Sequence, residues 1–351
     1  MSTPKQANTQ NEFPDLDGLK IAITGGTGFV GGHPLPKLLD LKAQVTCLVR
    51  ATSNLSRLPK NVKSVVCDLT TGEGLQEALT GQDVLIHMAA LLFGFGFRHY
   101  LSSNNQAAQQ IAKALDDLGS LAPKKLILLS SLAAAGPSAS PQGLGENALP
   151  SPVSAYGFSK LLVERTLKSS FHGQLVILRP GIIYGSGDRG LLPMFQGVKH
   201  GFAVSPGSMR EFPVSCIHAS DMATAIILAL QEKAFGIYHV SDGKRYTMTE
   251  FCKSMGQALG RPNTKVWHLP LPIMAFSAAC SSLAGNILKF ITQNPLMRAP
   301  NWNFDKYREA KASGWVCDNS RLKNELGFCP KFSLQAGLEE SVKGYRQRGW
   351  L

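Results

Sequence analysis

From Leu19 onward the chain alternates short apolar runs with helical or loop segments. KIAIT (20–24), QVTCLV (44–49), VKSVVC (62–67), DVLIHM (83–88), KLILLSS (125–131) and QLVILRP (174–180) are the apolar runs. Strands this uniformly apolar belong in a parallel sheet covered on both faces. Their spacing predicts strand–helix–strand units and a doubly wound α/β fold. After Pro180 the rhythm changes. A glycine-rich loop, GIIYGSGDRG, leads to two further strands, FPVSCIH (212–218) and GIYHVSD (236–242), with the helix ASDMATAIILALQ between them; from Thr247 the pattern is mainly helical. The predicted division is a mobile polar tail (1–14), a nucleotide domain (15–185 completed by 213–242), and a smaller, mainly helical C-terminal substrate domain (186–212 plus 243–351).

The first strand runs into TGGTGFVGGHPLPKLLD (24–40). Gly25, Gly28 and Gly31 have the spacing of a turn that lets a pyrophosphate approach the backbone at a helix N-terminus. Thr27, Phe29 and Val30 lie in the same turn. Pro34 and Pro36 sit where the following helix is expected, and a proline inside a helix removes a hydrogen bond. Both follow the last glycine of the turn, so we expect a working site and a bent or late-starting helix. The second strand ends at Arg50, with Arg57 seven residues on. An NAD site usually places a carboxylate there. A guanidinium suits a 2′-phosphate instead, so NADP is the expected cofactor and NAD the alternative. Arg57 also reads as a solvated charge. Asp68, ending the third strand with Leu69 beside it, reads either as an adenine contact or as a turn residue.

Ser154–Lys160 reads SAYGFSK, so Tyr156 and Lys160 share one helix face. Lowering a phenol pKa from about 10 to 7 takes about 4 kcal/mol of phenolate stabilisation. A nearby ammonium and a cationic nicotinamide can supply it. Ser130 and Ser131 end the fifth strand at the edge where ligands bind in such sheets. A serine hydroxyl there, with Tyr156 and Lys160, makes a proton-transfer set.

TGGTGFVG, DVLIHMAA, LLSSLAAAG, YGFSK, LRPGIIYG and CIHASDMATAI together resemble the extended short-chain dehydrogenases/reductases, the NAD(P)-dependent epimerase/dehydratase superfamily with its Rossmann fold. SRLKNELGFCPKFSLQAGLEES resembles that superfamily's C-terminal end. The resemblance covers nearly the whole chain from Leu19. It implies that Tyr156 is the proton donor or acceptor, that Lys160 holds the nicotinamide ribose and lowers the Tyr156 pKa, and that Ser131 rather than Ser130 is the catalytic serine. It also implies a structural or proton-relay role for Asn104, with Asn105 as the register alternative. Ala89 and Ala90 would approach the ribose and phosphates, and Pro180 to Ile183 would line the nicotinamide. Dimers in this family pair through two helices, here about 103–118 and 151–171. Two departures are the double proline and Ala107-Ala108, where the family usually has Gly-Thr.

Reductases and sugar-nucleotide epimerases of this family use the same Ser/Tyr/Lys set. Arg50 leans towards NADP and net reduction, whereas epimerases typically hold NAD tightly. Sugar-nucleotide enzymes usually carry an Asn near Gly181, which is absent here. LRPGIIYG and SSLAAAGP look closer to the 3-beta-hydroxysteroid dehydrogenase and dihydroflavonol 4-reductase branch. The expected activity is therefore hydride transfer between NADP and a carbonyl or secondary alcohol of a hydrophobic substrate of steroid, flavonoid or oxo-acyl type. The alternatives are a nucleotide-sugar epimerase/dehydratase and a non-catalytic NADP sensor.

Charge and cysteine usage narrow the class further. The 351 residues carry a formal net charge of +12, scattered without a Lys/Arg run of five, which argues against nucleic acid. Seven cysteines lie far apart with no CxxC pair, so no metal is expected, and free thiols suit a reducing cytoplasm. The initial residues lack an apolar signal core. LPLPIMAFSAACSSLAGNIL (269–288) carries no charge. It reads as a lid or core helix over a hydrophobic substrate, or as peripheral membrane contact through 269–293, helped by the positive charge. Arg189 and Arg210 read as anchors for an acidic substrate group or as solvated loop charges. His87 reads as a core histidine and His218 as a helix cap.

Overall fold

The computed structural model describes residues 11–207, 211–294 and 297–351; Arg210 lies outside them. Seven parallel strands make the main sheet: β1 (Lys20–Thr24), β2 (Gln44–Val49), β3 (Lys63–Val66), β4 (Val84–His87), β5 (Lys125–Leu129), β6 (Gln174–Pro180) and, completing it later in the chain, β11 (Gly236–Val240). Six short strands lie outside it: β7 (Ile182–Tyr184), β8 (Phe202–Pro206), β9 (Pro213–Val214), β10 (Cys216–His218), β12 (Tyr246–Thr247) and β13 (Lys265–Leu269). The sheet order is β11-β6-β5-β4-β1-β2-β3. Chain order therefore reverses between β1 and β4, opening the crevice where ligands bind in doubly wound sheets.

Alternation along each strand divides the core in two. Ile21 and Ile23 of β1 point to one face, with α1 (Pro34–Asp40), α8 (Ala219–Leu228) and α12 (Ser320–Leu326). Ala22 points to the other, with α2 (Leu75–Leu79), α4 (Gln106–Leu118) and α6 (Ala155–Ser170). Both faces are thus dry, which is why the strands are continuous apolar runs. Leu322, Leu326 and Phe328, from the C-terminal segment, fill the first of these cores. A third core joins Tyr184, Phe195, Phe251, Met255, Leu338 and Tyr345. It ties α7 (Leu192–Lys199) and α9 (Met248–Ala258) to α13 (Leu334–Gln347). The site is framed by α3 (Phe97–Tyr100), α5 (Leu132–Ala135), α10 (Leu271–Thr292) and α11 (Phe304–Lys311).

FPVSCIH, read from sequence as one strand, is two. Ser215 interrupts it by donating its N–H to the Trp315 carbonyl, while its own carbonyl accepts from Ile182. β9 then pairs with β12 and β10 with β7. Within the segment 1–14, the Asn11 side chain bonds both backbone groups of Cys329, at 2.8 and 3.0 Å.

The prolines of the phosphate turn start the helix rather than break it. Residues 25–33 form successive turns and α1 begins at Pro34. Pro34 and Pro36 both fall in the first turn, where backbone N–H groups have no intrahelical partner to lose.

Candidate active site

The glycine turn and the end of β4 meet at the crevice. Gly25 adopts φ +77°, and a Cβ on it would lie 2.8 Å from the Ala89 nitrogen. A Cβ on Gly31 would lie 2.1 Å from the Gly25 carbonyl oxygen. Only glycine lets these segments close. Thr24 locks them from beneath. Its hydroxyl accepts from the N–H groups of Met88 and Ala89, both at 3.1 Å, and lies 2.7 Å from His87 Nδ1. Burial, then the Lys160 charge, push the His87 pKa down to about 3. His87 is therefore a neutral core histidine, as expected.

The turn has the features a dinucleotide requires. Among the described residues, the backbone N–H groups of Thr27, Phe29 and Val30 have no acceptor, so they stand ready for phosphate oxygens. Arg50 is exposed at the end of β2. Arg57 donates to the Thr27 carbonyl at 3.2 Å, which brings a second guanidinium to the rim of the turn. Asp68 closes its own turn instead of standing free. It accepts from the Thr70 hydroxyl at 2.6 Å and from the Thr70 and Thr71 N–H groups at 2.7 and 3.3 Å. Those bonds lower its pKa. Leu69 packs against the second core. Ile183 packs against the first, next to Pro180 at the end of β6.

The catalytic candidates converge. Ser131 caps α5, accepting from Ala133 N–H at 3.1 Å; its hydroxyl proton is left for another partner. Tyr156 is buried beside Tyr100, Ala133, Leu91 and Trp315. Burial, then the Glu309 charge, push its phenol pKa up, and hydrogen bonding with Ser131 pulls it back. The expected lowering by Lys160 does not operate in this arrangement. The Lys160 ammonium lies instead against the Leu129 carbonyl, at 2.8 Å. Burial lowers its pKa to about 8, opposed by Glu164. Ser130 bonds to Glu164, whereas Ser131 is the serine within hydrogen-bond reach of the tyrosine.

Asn104 lies in a π-helical turn, Leu101–Asn105. Its side chain accepts from Leu91 N–H at 2.7 Å and donates to the Leu91 carbonyl at 3.2 Å and the Ser159 hydroxyl at 3.0 Å. It therefore braces the loop after β4 against the catalytic helix. Asn105 contacts Thr166 instead, at 3.2 Å.

Two groups of functional residues escaped the sequence reading. Glu164 and Arg179 form a buried bidentate pair, at 2.9 and 2.5 Å, directly behind Lys160. Glu164 stands four residues after Lys160 and Arg179 is the one charge in an apolar strand; both signals were available. The second group comes from α11. Asp305 accepts from the Ala155 and Tyr156 N–H groups at 2.6 and 3.1 Å, holding the first turn of α6. Glu309 accepts from Ser154 at 2.7 Å. Lys306 bonds Glu309 at 2.8 Å and sits 4.5 Å from the Tyr156 ring centre.

His218 caps α8 and meets Glu340 at 3.1 Å. Arg189 stacks 4.7 Å from the Trp350 ring centre. Among the described residues no cluster of metal-ligating side chains occurs.

Residues 21–241 match the NAD dependent epimerase/dehydratase family. The chain is 28% identical to ceramide reductase of Caulobacter vibrioides over 334 residues, which cover 94% of this chain and 96% of that one. It is 25% identical to 3-beta-hydroxysteroid dehydrogenase of Mycolicibacterium neoaurum over 266 residues, 70% of this chain and 72% of that one. Among solved structures, UDP-glucose 4-epimerase of Thermus thermophilus in complex with NAD superposes with a TM-score of 0.71. That match has 22% identity and covers 93% of this chain and 99% of the other.

Proposed function

The chain belongs to the NAD dependent epimerase/dehydratase family, and from that premise we propose that it is an NADP-dependent reductase of a hydrophobic, lipid-like ketone. The observation that carries this reading is the set of apolar side chains packed on Tyr156, beside the Lys306–Glu309 pair on its other neighbour, α11. Leu91, Tyr100, Ala133 and Trp315 pack with it, and Phe97 and Phe158 meet edge to face nearby, with ring centres 6.3 Å apart. A wall of this kind suits an acyl or ring hydrocarbon better than a sugar diphosphate. Sugar-nucleotide relatives are expected to carry Asn near Gly181, and at Gly181 itself a Cβ would lie 2.3 Å from the Ser215 carbonyl oxygen. No side chain fits there. The likeness to a ceramide reductase and to a steroid dehydrogenase supports the same substrate class.

NADP held by the glycine turn and Arg50 would supply the hydride. Ser131 donates to the substrate carbonyl and orients it beside Tyr156. Burial keeps the Tyr156 phenol protonated at neutral pH, so it gives its proton to the developing alkoxide. Lys160, one helical turn from the phenol and bonded here to the Leu129 carbonyl, would hold the nicotinamide ribose. Arg50 and Arg57 hold the 2′-phosphate that distinguishes NADP from NAD.

The test is NADPH oxidation by the purified protein with long-chain oxo lipids, a steroid ketone and UDP-glucose in parallel. Turnover of an oxo lipid or steroid, abolished in Tyr156→Phe while NADPH still binds, supports the proposal. Co-purified NAD together with interconversion of UDP-glucose and its 4-epimer overturns it in favour of the epimerase.

A further inference from the structure

Helix α10 is built the wrong way round for a helix facing water. Its inward stripe, Leu271, Met274, Ala278, Ser281, Gly285 and Lys289, recurs every three or four residues and, after Met274, carries only small or polar side chains. Ser281 donates to the Trp302 carbonyl at 2.7 Å, and Ser277 and Ser282 accept from the Trp302 indole and the Phe304 N–H at 3.1 and 2.8 Å. The Lys289 ammonium, the only charge in the helix, lies 4.6 Å from the Phe95 ring centre. The outward face carries no charge and is mainly apolar, with Phe276 at 73%, Leu283 at 62% and Phe290 at 80% exposure and only Ser277, Asn286 and Thr292 as polar interruptions. Charged residues normally occupy that face of a surface helix, and an apolar patch of this extent marks a docking surface. Immediately upstream, Trp267 of β13 pairs with Val204 of β8, and both are exposed with Phe202.

Charge identifies what covers this face. From Phe251 to Phe304 the chain has no Asp or Glu, yet it carries Lys253, Arg261, Lys265, Lys289 and Arg298. Lys265 stands two residues from Trp267 on the same side of β13, so a second copy packed on this face would bring like charges together. An anionic bilayer satisfies both the apolar face and the charge. The α10 serines are engaged with Trp302 and Phe304, so the helix lies along the membrane surface and does not cross it. We propose that α10 and the β8–β13 ribbon dock the protein on an anionic lipid bilayer. The inward stripe of α10 rests on the segment leading into α11, whose Lys306 lies on the Tyr156 ring. On the lipid-reductase reading above, this docking brings the catalytic tyrosine to the membrane that holds its substrate.

The test is co-sedimentation of the full chain with phosphatidylcholine vesicles, with and without phosphatidylserine. The expected result is binding that requires phosphatidylserine and weakens with salt. Phe276→Glu and Ile287→Glu should each reduce it at least about tenfold, with the thermal midpoint and NADPH affinity unchanged. Lys265→Glu should weaken it through charge alone. Failure to bind either vesicle overturns the proposal, as does unchanged binding by Phe276→Glu. So does a dimer that Phe276→Glu dissociates without any vesicle binding, and so does resistance of the wild type to alkaline carbonate extraction, which marks a spanning helix. Vesicle binding by a protein that reduces no oxo lipid upholds the docking and removes the reductase reading.

Discussion

Replacing Lys160 with Met should remove turnover and stabilise the cofactor-free protein at neutral pH. Burial lowers the Lys160 pKa from 10.5 to about 8. Between those values the unfolded chain holds a proton that the folded chain has released, so Lys160 makes stability rise with pH across that window. Below it, the buried charge costs about 3 kcal/mol. Met fills a similar volume without charge but loses the 2.8 Å bond to the Leu129 carbonyl, which costs about 1–2 kcal/mol. Glu164 keeps Arg179 and Ser130 as partners. The variant should therefore be more stable than wild type by about 1–2 kcal/mol at pH 7. At pH 10 the lysine is neutral in the folded state and the order should reverse by about 1 kcal/mol. Urea denaturation of both proteins at the two pH values measures this, given equal m-values. Taking the difference between them cancels Lys125, whose pKa burial also lowers to about 8. A variant less stable at pH 7, or a difference indifferent to pH, would refute the reasoning.

Glu164→Leu should cost about 3–5 kcal/mol by stranding Arg179, and Arg179→Met in the same chain should restore most of it; denaturant midpoints of the two singles and the double report this. Asp305→Ala frees the Ala155 and Tyr156 N–H groups and should cost about 1–2 kcal/mol, with a fall in kcat at unchanged NADPH affinity, read by thermal melts and steady-state kinetics. Arg50→Asp should weaken NADPH binding at least about tenfold relative to NADH, or about 1.4 kcal/mol, in a fluorescence titration. Pro36→Ala should change stability by less than about 1 kcal/mol and leave NADPH affinity alone, because Pro36 lies in the first turn of α1.

What the sequence disclosed and what it hid have one physical basis. Strands buried on both faces leave a local trace in composition, and β1, β2 and β4 to β6 were legible for that reason, whereas the edge strand β3 is largely exposed. The glycine turn was legible because its spacing encodes close backbone approach, borne out by the contacts of Gly25 and Gly31. Tyr156 and Lys160 were legible as helix neighbours, but the direction of the ammonium was not. It depends on the Leu129 carbonyl and on Glu164, and Glu164 depends in turn on Arg179 from another strand. The hold of Asp305 on Tyr156 spans 149 residues and leaves no local signal at either end. Ser215 splits a strand through Ile182 and Trp315, partners outside its own segment. For α10 the sequence supplied an apolar, nearly uncharged segment, a pattern that a core helix and a membrane helix share. The two are distinguished by which side of the helix the serines, Gly285 and Lys289 occupy, and that depends on where Trp302 and Phe304 pass beneath it. A core helix would turn Phe276, Leu283 and Phe290 inward. Here they face out, so the apolar residues of this segment add little to the stability of the isolated fold. The docking proposed above gives them a bilayer to enter.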